Sequence, residues 1–273
     1  MSDAEASAPL PAQPFAARIR PIATDEPFRW LAAGWNDFRR ASVVSLSYGL
    51  VFVAIGLALT GALFAADMVY LFLPLATGFM LIGPALTIGF YAISRDLADG
   101  RAPGLGRAIA AFRANPGPLF SLGLVLLILF VLWMRFSALA FALAFPLRVG
   151  ADLQSLMNAM LFTGGGQTFA IVTALLGAGF AALVFAGGAF ALPMLLDRPT
   201  GIVEAIATSW LAVTTNLRAM AVWAAILVLL TAAGMAAGMI GLAVTLPLAG
   251  HATWHAYKAA IRLPPPLVAP PGP

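Results

Sequence analysis

The reading of the fold turns on the stretch Arg218–Arg262, RAMAVWAAILVLLTAAGMAAGMIGLAVTLPLAGHATWHAYKAAIR. From Ala219 to Gly250 it runs 32 residues without Asp, Glu, Lys, Arg or His. As one helix this run would reach about 48 Å at about 1.5 Å per residue. A bilayer core is about 30 Å thick and takes about 20 residues per crossing. The run therefore reads as two helices that turn near Gly234–Gly238. The second carries His251, Trp254, His255 and Tyr257 out through the membrane interface, and with them both histidines of the chain.

The composition agrees with that stretch. The 273 residues are 62% hydrophobic and only 10% charged, against roughly 25% charged in ordinary globular domains. This defines an integral membrane protein. The net charge of +4 lies in short segments between apolar runs, with no basic face broad enough for a duplex. Nucleic acid is excluded on that ground, and anionic lipid headgroups are the expected partner. Cysteine is absent, which excludes disulfides, thiolate catalysis and Cys-ligated metal centres.

Upstream, the chain reads as an alternation of in-plane helices and crossings. Residues 1–24 lack an apolar signal core and are expected to form a disordered cytoplasmic arm. Glu26–Arg40 places Phe28, Leu31, Trp35 and Phe38 on one helical face and Arg29, Asn36 and Arg40 largely on the other, as in a helix lying on a membrane. Crossings are expected at Ser42–Ala66 and Tyr70–Ile93, the latter interrupted by Pro74, Gly78, Gly83 and Pro84. The basic link 94–118 carries a second in-plane stripe. Leu119–Phe145 is the third crossing, with Arg135 inside its apolar run. This helix either ends near Trp133 and Met134 or continues at an angle, and residues 135–165 are the least securely placed. Ala151–Leu161 reads as an amphipathic helix on the far side. Thr168–Leu196 is the fourth crossing, and a stripe from Ile202 to Leu217 is the last in-plane helix before the terminal pair.

The expected architecture is thus an all-α integral membrane protein of six transmembrane helices in three hairpins, with short amphipathic interfacial helices. The membrane domain spans 25–263, followed by a disordered Pro-rich tail at 264–273. Thirteen of the fifteen Lys and Arg fall before the first crossing, in the 94–118 and 197–218 links, or after the last crossing. The positive-inside bias then places both termini in the cytoplasm.

Chemistry concentrates at a few polar positions. His251 and His255, four apart, share a helix face and would suit a metal if Asp197 supplied a third ligand. The HATWH spacing nevertheless lacks the glutamate base of HExxH. Two histidines one turn apart cannot sandwich a haem iron, since axial ligands approach from opposite faces. The alternative is an interfacial cap, with Trp254 and Tyr257 anchored among headgroups. Asp197, Arg198 and Asn216 read as helix junctions or as members of the same cluster. The discontinuous second helix would suit a transporter, but no buried Asp, Glu or Lys accompanies it to couple an ion.

Three segments carry a resemblance: PFRWLAAGWNDFRRASVVSLSYG at Pro27–Gly49, PMLLDR at Pro193–Arg198 with the residues that follow to Asn216, and GLAVTLPLAGHATWHAYK at Gly241–Lys258. With them the chain resembles, over about residues 20–263, the bacterial integral membrane proteins grouped as domain of unknown function 2189. The resemblance implies a six-helix inner-membrane protein without an established activity; some members are labelled cytochrome c oxidase subunits. Positions that recur in that family and are found here are Trp35, Asp37, Asp197, Arg198, Asn216, His251, Trp254, His255 and Tyr257. With too few metal ligands for an oxidase core, such a label implies at most association with a respiratory complex. The expectation is an accessory component of another inner-membrane complex, binding no cofactor. A small-solute or ion transporter and a metal-dependent enzyme using His251 and His255 are the alternatives.

Overall fold

The computed structural model of the protein describes residues 19–68, 71–144 and 153–262. Within them the chain forms twelve α-helices and no strand beyond one isolated bridge, between Ile19 and Ile261. The expected Pro-rich tail and most of the expected arm lie outside the described residues. Of the arm, residues 19–24 are described, and the Arg20 amide donates to the Ala260 carbonyl at 2.9 Å.

Four helical segments are long and apolar enough to cross a membrane. They are α2 (Ser42–Ala65), α6 (Pro116–Ala144), α8 (Gly164–Gly188) running on into α9 (Ala191–Asp197), and α11 (Leu217–Ala236). Their most apolar windows are only 17–22% buried by protein. In water such surfaces would be a severe liability, and in hydrocarbon they are the expected finish.

The expectation of six crossings in three hairpins is therefore corrected to four helices of spanning length. The expected second crossing is divided at Thr87 into α3 (Phe72–Leu86) and α4 (Ile88–Ala98), of 15 and 11 residues. Neither reaches the roughly 20 residues of a full span. The expected sixth is α12 (Leu242–Ala260), a 19-residue helix containing Pro247 and the polar HATWHAYK end. Its polar half faces neighbouring helices, not lipid. In the third crossing α6 continues unbroken past Trp133 to Ala144, so Arg135 lies on the exposed surface of a continuous helix.

The turn expected near Gly234–Gly238 is present. α11 stops at Ala236, and the chain reverses through Gly238 and Met239, both at positive φ (65° and 67°), before α12 begins. The segments expected to lie in the membrane plane form helices: α1 (Glu26–Arg40), α5 (Leu105–Ala110) with a 3-10 turn at 111–113, α7 (Leu153–Phe162) and α10 (Ile202–Thr215). In α1, Pro27 occupies the first turn beside Glu26, and Arg39 and Arg40 occupy the last. Each is where the backbone's unpaired groups and dipole favour it.

α12 is the hub on which α1, α2, α4, α9 and α11 pack. The approach to α1 is backbone to backbone: a Cβ at Gly34 would lie 2.6 Å from the Ala252 nitrogen. On the α4 side, a Cβ at Gly250 would meet the Phe90 Cβ at 2.6 Å. Around this seam Trp30 and Trp223 meet edge to face at 5.7 Å, and Phe190, Leu192, Leu195 and Tyr257 are buried.

Candidate functional site

The close packing of α1, α2 and α4 on α12 decides what its polar residues meet. His251 is fully buried. Its Nε2 lies 2.9 Å from Ser45 Oγ on α2 and its Nδ1 lies 2.8 Å from Ser94 Oγ on α4. One turn later, His255 Nε2 donates to Asp37 Oδ2 on α1 at 2.8 Å. Two adjacent polar clusters thus sit one turn apart on α12: His251 between Ser45 and Ser94, and His255 on Asp37.

Each ring nitrogen of the neutral His251 imidazole has one serine hydroxyl as its partner; one nitrogen donates and the other accepts, which a hydroxyl can match on either side. Burial pushes the His251 imidazole down to about 4 from 6.5, against an opposing pull from Asp37. Burial alone would raise the Asp37 carboxyl, but the hydrogen bond and charge of His255, with the Ser94 hydroxyl nearby, outweigh it and hold that carboxyl below its ordinary 3.8.

The other expected site residues belong to two separate clusters. Tyr257 donates its hydroxyl to Asp197 Oδ2 at 2.8 Å, and Lys258 Nζ reaches the same oxygen at 3.2 Å. Arg198 stands alongside at 4.0 Å. Burial, then the Asp197 charge, pushes the Tyr257 phenol well above its usual 10.0. Trp254 is 2% exposed and Tyr257 1%. The aromatics expected at the headgroups are thus interior residues, with the Lys258 ammonium over the Trp254 ring at 5.4 Å from its centroid. Asn216 caps neither cluster. Its side chain donates to the carbonyls of Arg20 and Ala212 and accepts from the Ile22 amide at 2.8 Å, tying the N-terminal stretch to the start of α11.

These partnerships separate Asp197 from the histidine pair. No group of three His, Asp or Glu side chains converges as a metal site among the described residues. Sequence reasoning missed Ser45 and Ser94, which nothing distinguishes from other small residues of apolar helices. It also missed Asp96, buried beneath Arg101 and Arg107 at 2.9 and 2.8 Å. The signal for Asp37 was present: it follows Trp30 and Gly34 at helical spacing and shares their buried face, whereas Phe28 and Trp35 of the expected stripe are 59% and 43% exposed.

A second feature stands apart from the polar clusters. A cavity of about 800 Å³ lies between α8, α10 and α11, with parts of α3, α4 and α12 behind it. Among the described residues its lining holds no Asp, Glu, Lys, Arg or His.

Residues 71–197, just under half of the 273, match the family model described as predicted integral membrane protein (DUF2189). The matched part runs from before α3 to the end of α9 and includes Ser94 and Asp197. The Pro27–Gly49 and Gly241–Lys258 segments lie outside it. No curated protein and no solved structure matches the chain. The fold and this match together define a multi-pass membrane protein.

Proposed function

We propose that this protein is a noncatalytic component of the bacterial inner membrane that acts by associating with another membrane complex. The observation that supports it is the engagement of both histidines inside the fold: His251 between two serines and His255 on Asp37. A metal enzyme built on them would need Asp197, which is held by Tyr257 and Lys258. Transport of an ion or polar solute is not favoured by a cavity without a charged lining residue.

Placing both ends on one membrane face is supported by the pairing of Ile19 with Ile261. The basic residues nearby, Arg20, Arg39, Arg40, Lys258 and Arg262, favour the cytoplasm. Anionic headgroups suit the same end, where the exposed Trp35 stacks on Phe38 beside Arg39 and Arg40.

The test is purification of the tagged full chain from its own membranes in two mild detergents, with quantification of accompanying proteins and metals. One membrane complex recovered at a constant ratio, unchanged in His255→Ala, is the expected result. A full equivalent of metal lost on replacing both histidines, or ion flux catalysed by the protein alone in vesicles, would overturn it. Reporter fusions at the two ends, read on opposite faces, would overturn the placement of the termini.

A further inference from the structure

The large cavity is used by nothing in the proposed role, and its position says what medium reaches it. It is bracketed by α8 and α11, two of the four helices of spanning length. Along its mouth Leu183, Ala221 and Val228 are exposed, so the surroundings of those helices, hydrocarbon, meet it directly. Its lining hydroxyls, those of Thr87, Thr214, Thr231 and Thr253, already donate within the protein, so water, which needs two or more polar partners, gains little there. At about 800 Å³ it lies within the range of roughly 300–1,000 Å³ typical of small-molecule sites.

Its length and its charged end narrow the occupant further. On α11 the lining runs from Leu217 to Thr231, fourteen residue steps or about 21 Å at 1.5 Å per residue. One leaflet of a bilayer core is about 15 Å deep. The cavity can therefore take a chain along a whole leaflet's depth, starting from the headgroup level. At that starting end Arg218 is exposed and, among the described residues, has no carboxylate partner. It lies in the first turn of α11, where backbone N–H groups also face outward. Trp210, 44% exposed and lining the same end, is the residue type that settles at the membrane interface.

We propose that this cavity is a phospholipid site: an acyl chain lies between α8 and α11 while the anionic phosphate pairs with Arg218. The chain enters sideways from the bilayer, and the absence of lining charges rejects polar cargo. Hold on the phosphate rests on Arg218, beside the lining residue Leu217, and room for a chain rests on small residues such as Ala182 and Ala224 that leave the space open. The assignment stands independently of whether the protein associates with another complex.

The experiment uses the full chain in vesicles of phosphatidylcholine and phosphatidylglycerol, each carrying in turn a photoactivatable group in its acyl chain, with labelled residues mapped by mass spectrometry. Label is expected to concentrate on 178–189 and 217–231 and to be removed from them by Ala224→Trp, which fills the space. Ala54→Trp, on the exposed surface of α2, leaves it unchanged. Arg218→Gln, an exposed change that does not disturb packing, is expected to lower labelling by both lipids, since both carry the phosphate it pairs with, that of phosphatidylglycerol by about fivefold, the effect of about one basic residue at an anionic surface. If Ala224→Trp unfolds, the Arg218→Gln comparison decides alone. Label spread evenly over α2 and α6, or labelling by both lipids left unchanged in Arg218→Gln, would overturn the site. Crosslinks joining α8 or α11 to a second copy would overturn it too, by assigning the cavity to an interface between chains.

Discussion

The Asp37 carboxylate and the His255 ring meet at 2.8 Å although the two residues are 218 positions apart. They join the first helix of the described chain to the last. Replacing Asp37 with Ala leaves the half-buried His255 ring N–H without its acceptor. Asp37→Ala is expected to cost about 1–3 kcal/mol, read as a lower midpoint of thermal unfolding in detergent. In a double-mutant cycle with His255→Ala the losses should fall short of additivity. Strict additivity would show that the pair contributes nothing as a pair.

Acid should weaken the fold through His251. Its imidazole is held down to about 4 in the folded chain against 6.5 when free, so between those values the unfolded chain binds more protons. Stability is therefore full above pH 6.5 and falls as pH drops toward about 4, by up to about 3 kcal/mol. Asp37, held below 3.8, adds a loss of the same sign only below that pH. Unfolding midpoints followed from pH 7.5 to 4.5 test this, and His251→Gln should flatten the profile. An equal slope in that variant would assign the acid sensitivity elsewhere.

Gly34 is the tightest point of the α1 seam, since any side chain there meets the backbone of Ala252. Gly34→Val is expected to destabilise by about 1–3 kcal/mol or more through forced separation of the helices. Gly61→Ala, where nothing lies within 4 Å, should be neutral or stabilising by up to about 1 kcal/mol. Comparable melting curves for the two variants would contradict the close approach.

Asn216 holds residues 20–22 with hydrogen bonds to the Arg20 carbonyl and from the Ile22 amide. Asn216→Ala should speed hydrogen exchange at the Ile22 amide while the amides of α12 keep their protection. The global cost should be about 1–2 kcal/mol. An unchanged exchange rate at Ile22 would show that the Ile19 to Ile261 bridge alone suffices to hold this stretch.

How much of this could be read from residue order follows from which signals are local. The bounds of α1 follow from Glu26 and Pro27 at one end and Arg39 and Arg40 at the other, and the reversal at Gly238 follows from a run too long for one bilayer. Periodicity could not say that α12 would be enclosed by protein. Hydropathy makes the run to Gly250 look like a lipid-facing helix, and the glycines at 34, 49 and 250 that admit neighbours to it look like any other membrane glycine. The division at Thr87 was only half legible: Pro74, Gly78, Gly83 and Pro84 marked Tyr70–Ile93 as discontinuous, but membrane helices tolerate such residues, and nothing local said that the helix would end at Leu86. Of the site, His251, His255 and Tyr257 were legible as rare polar residues at one helix end. Their partners Ser45 and Ser94 were not, because a serine among alanines and leucines gives no sign of what it faces. Asp197 was legible as a residue of interest but not as the partner of Tyr257.

Because α12 follows every element it touches, a ribosome must deliver α1, α2, α4 and α9 to the membrane before their shared partner exists. Until residue 260 has emerged, Asp37, Ser45 and Ser94 have no imidazole to receive them, and the glycine-lined trough they border stands open. The nascent protein thus completes its polar interior in a final docking event, and a messenger truncated upstream of codon 242 would yield all four long apolar segments yet no keystone.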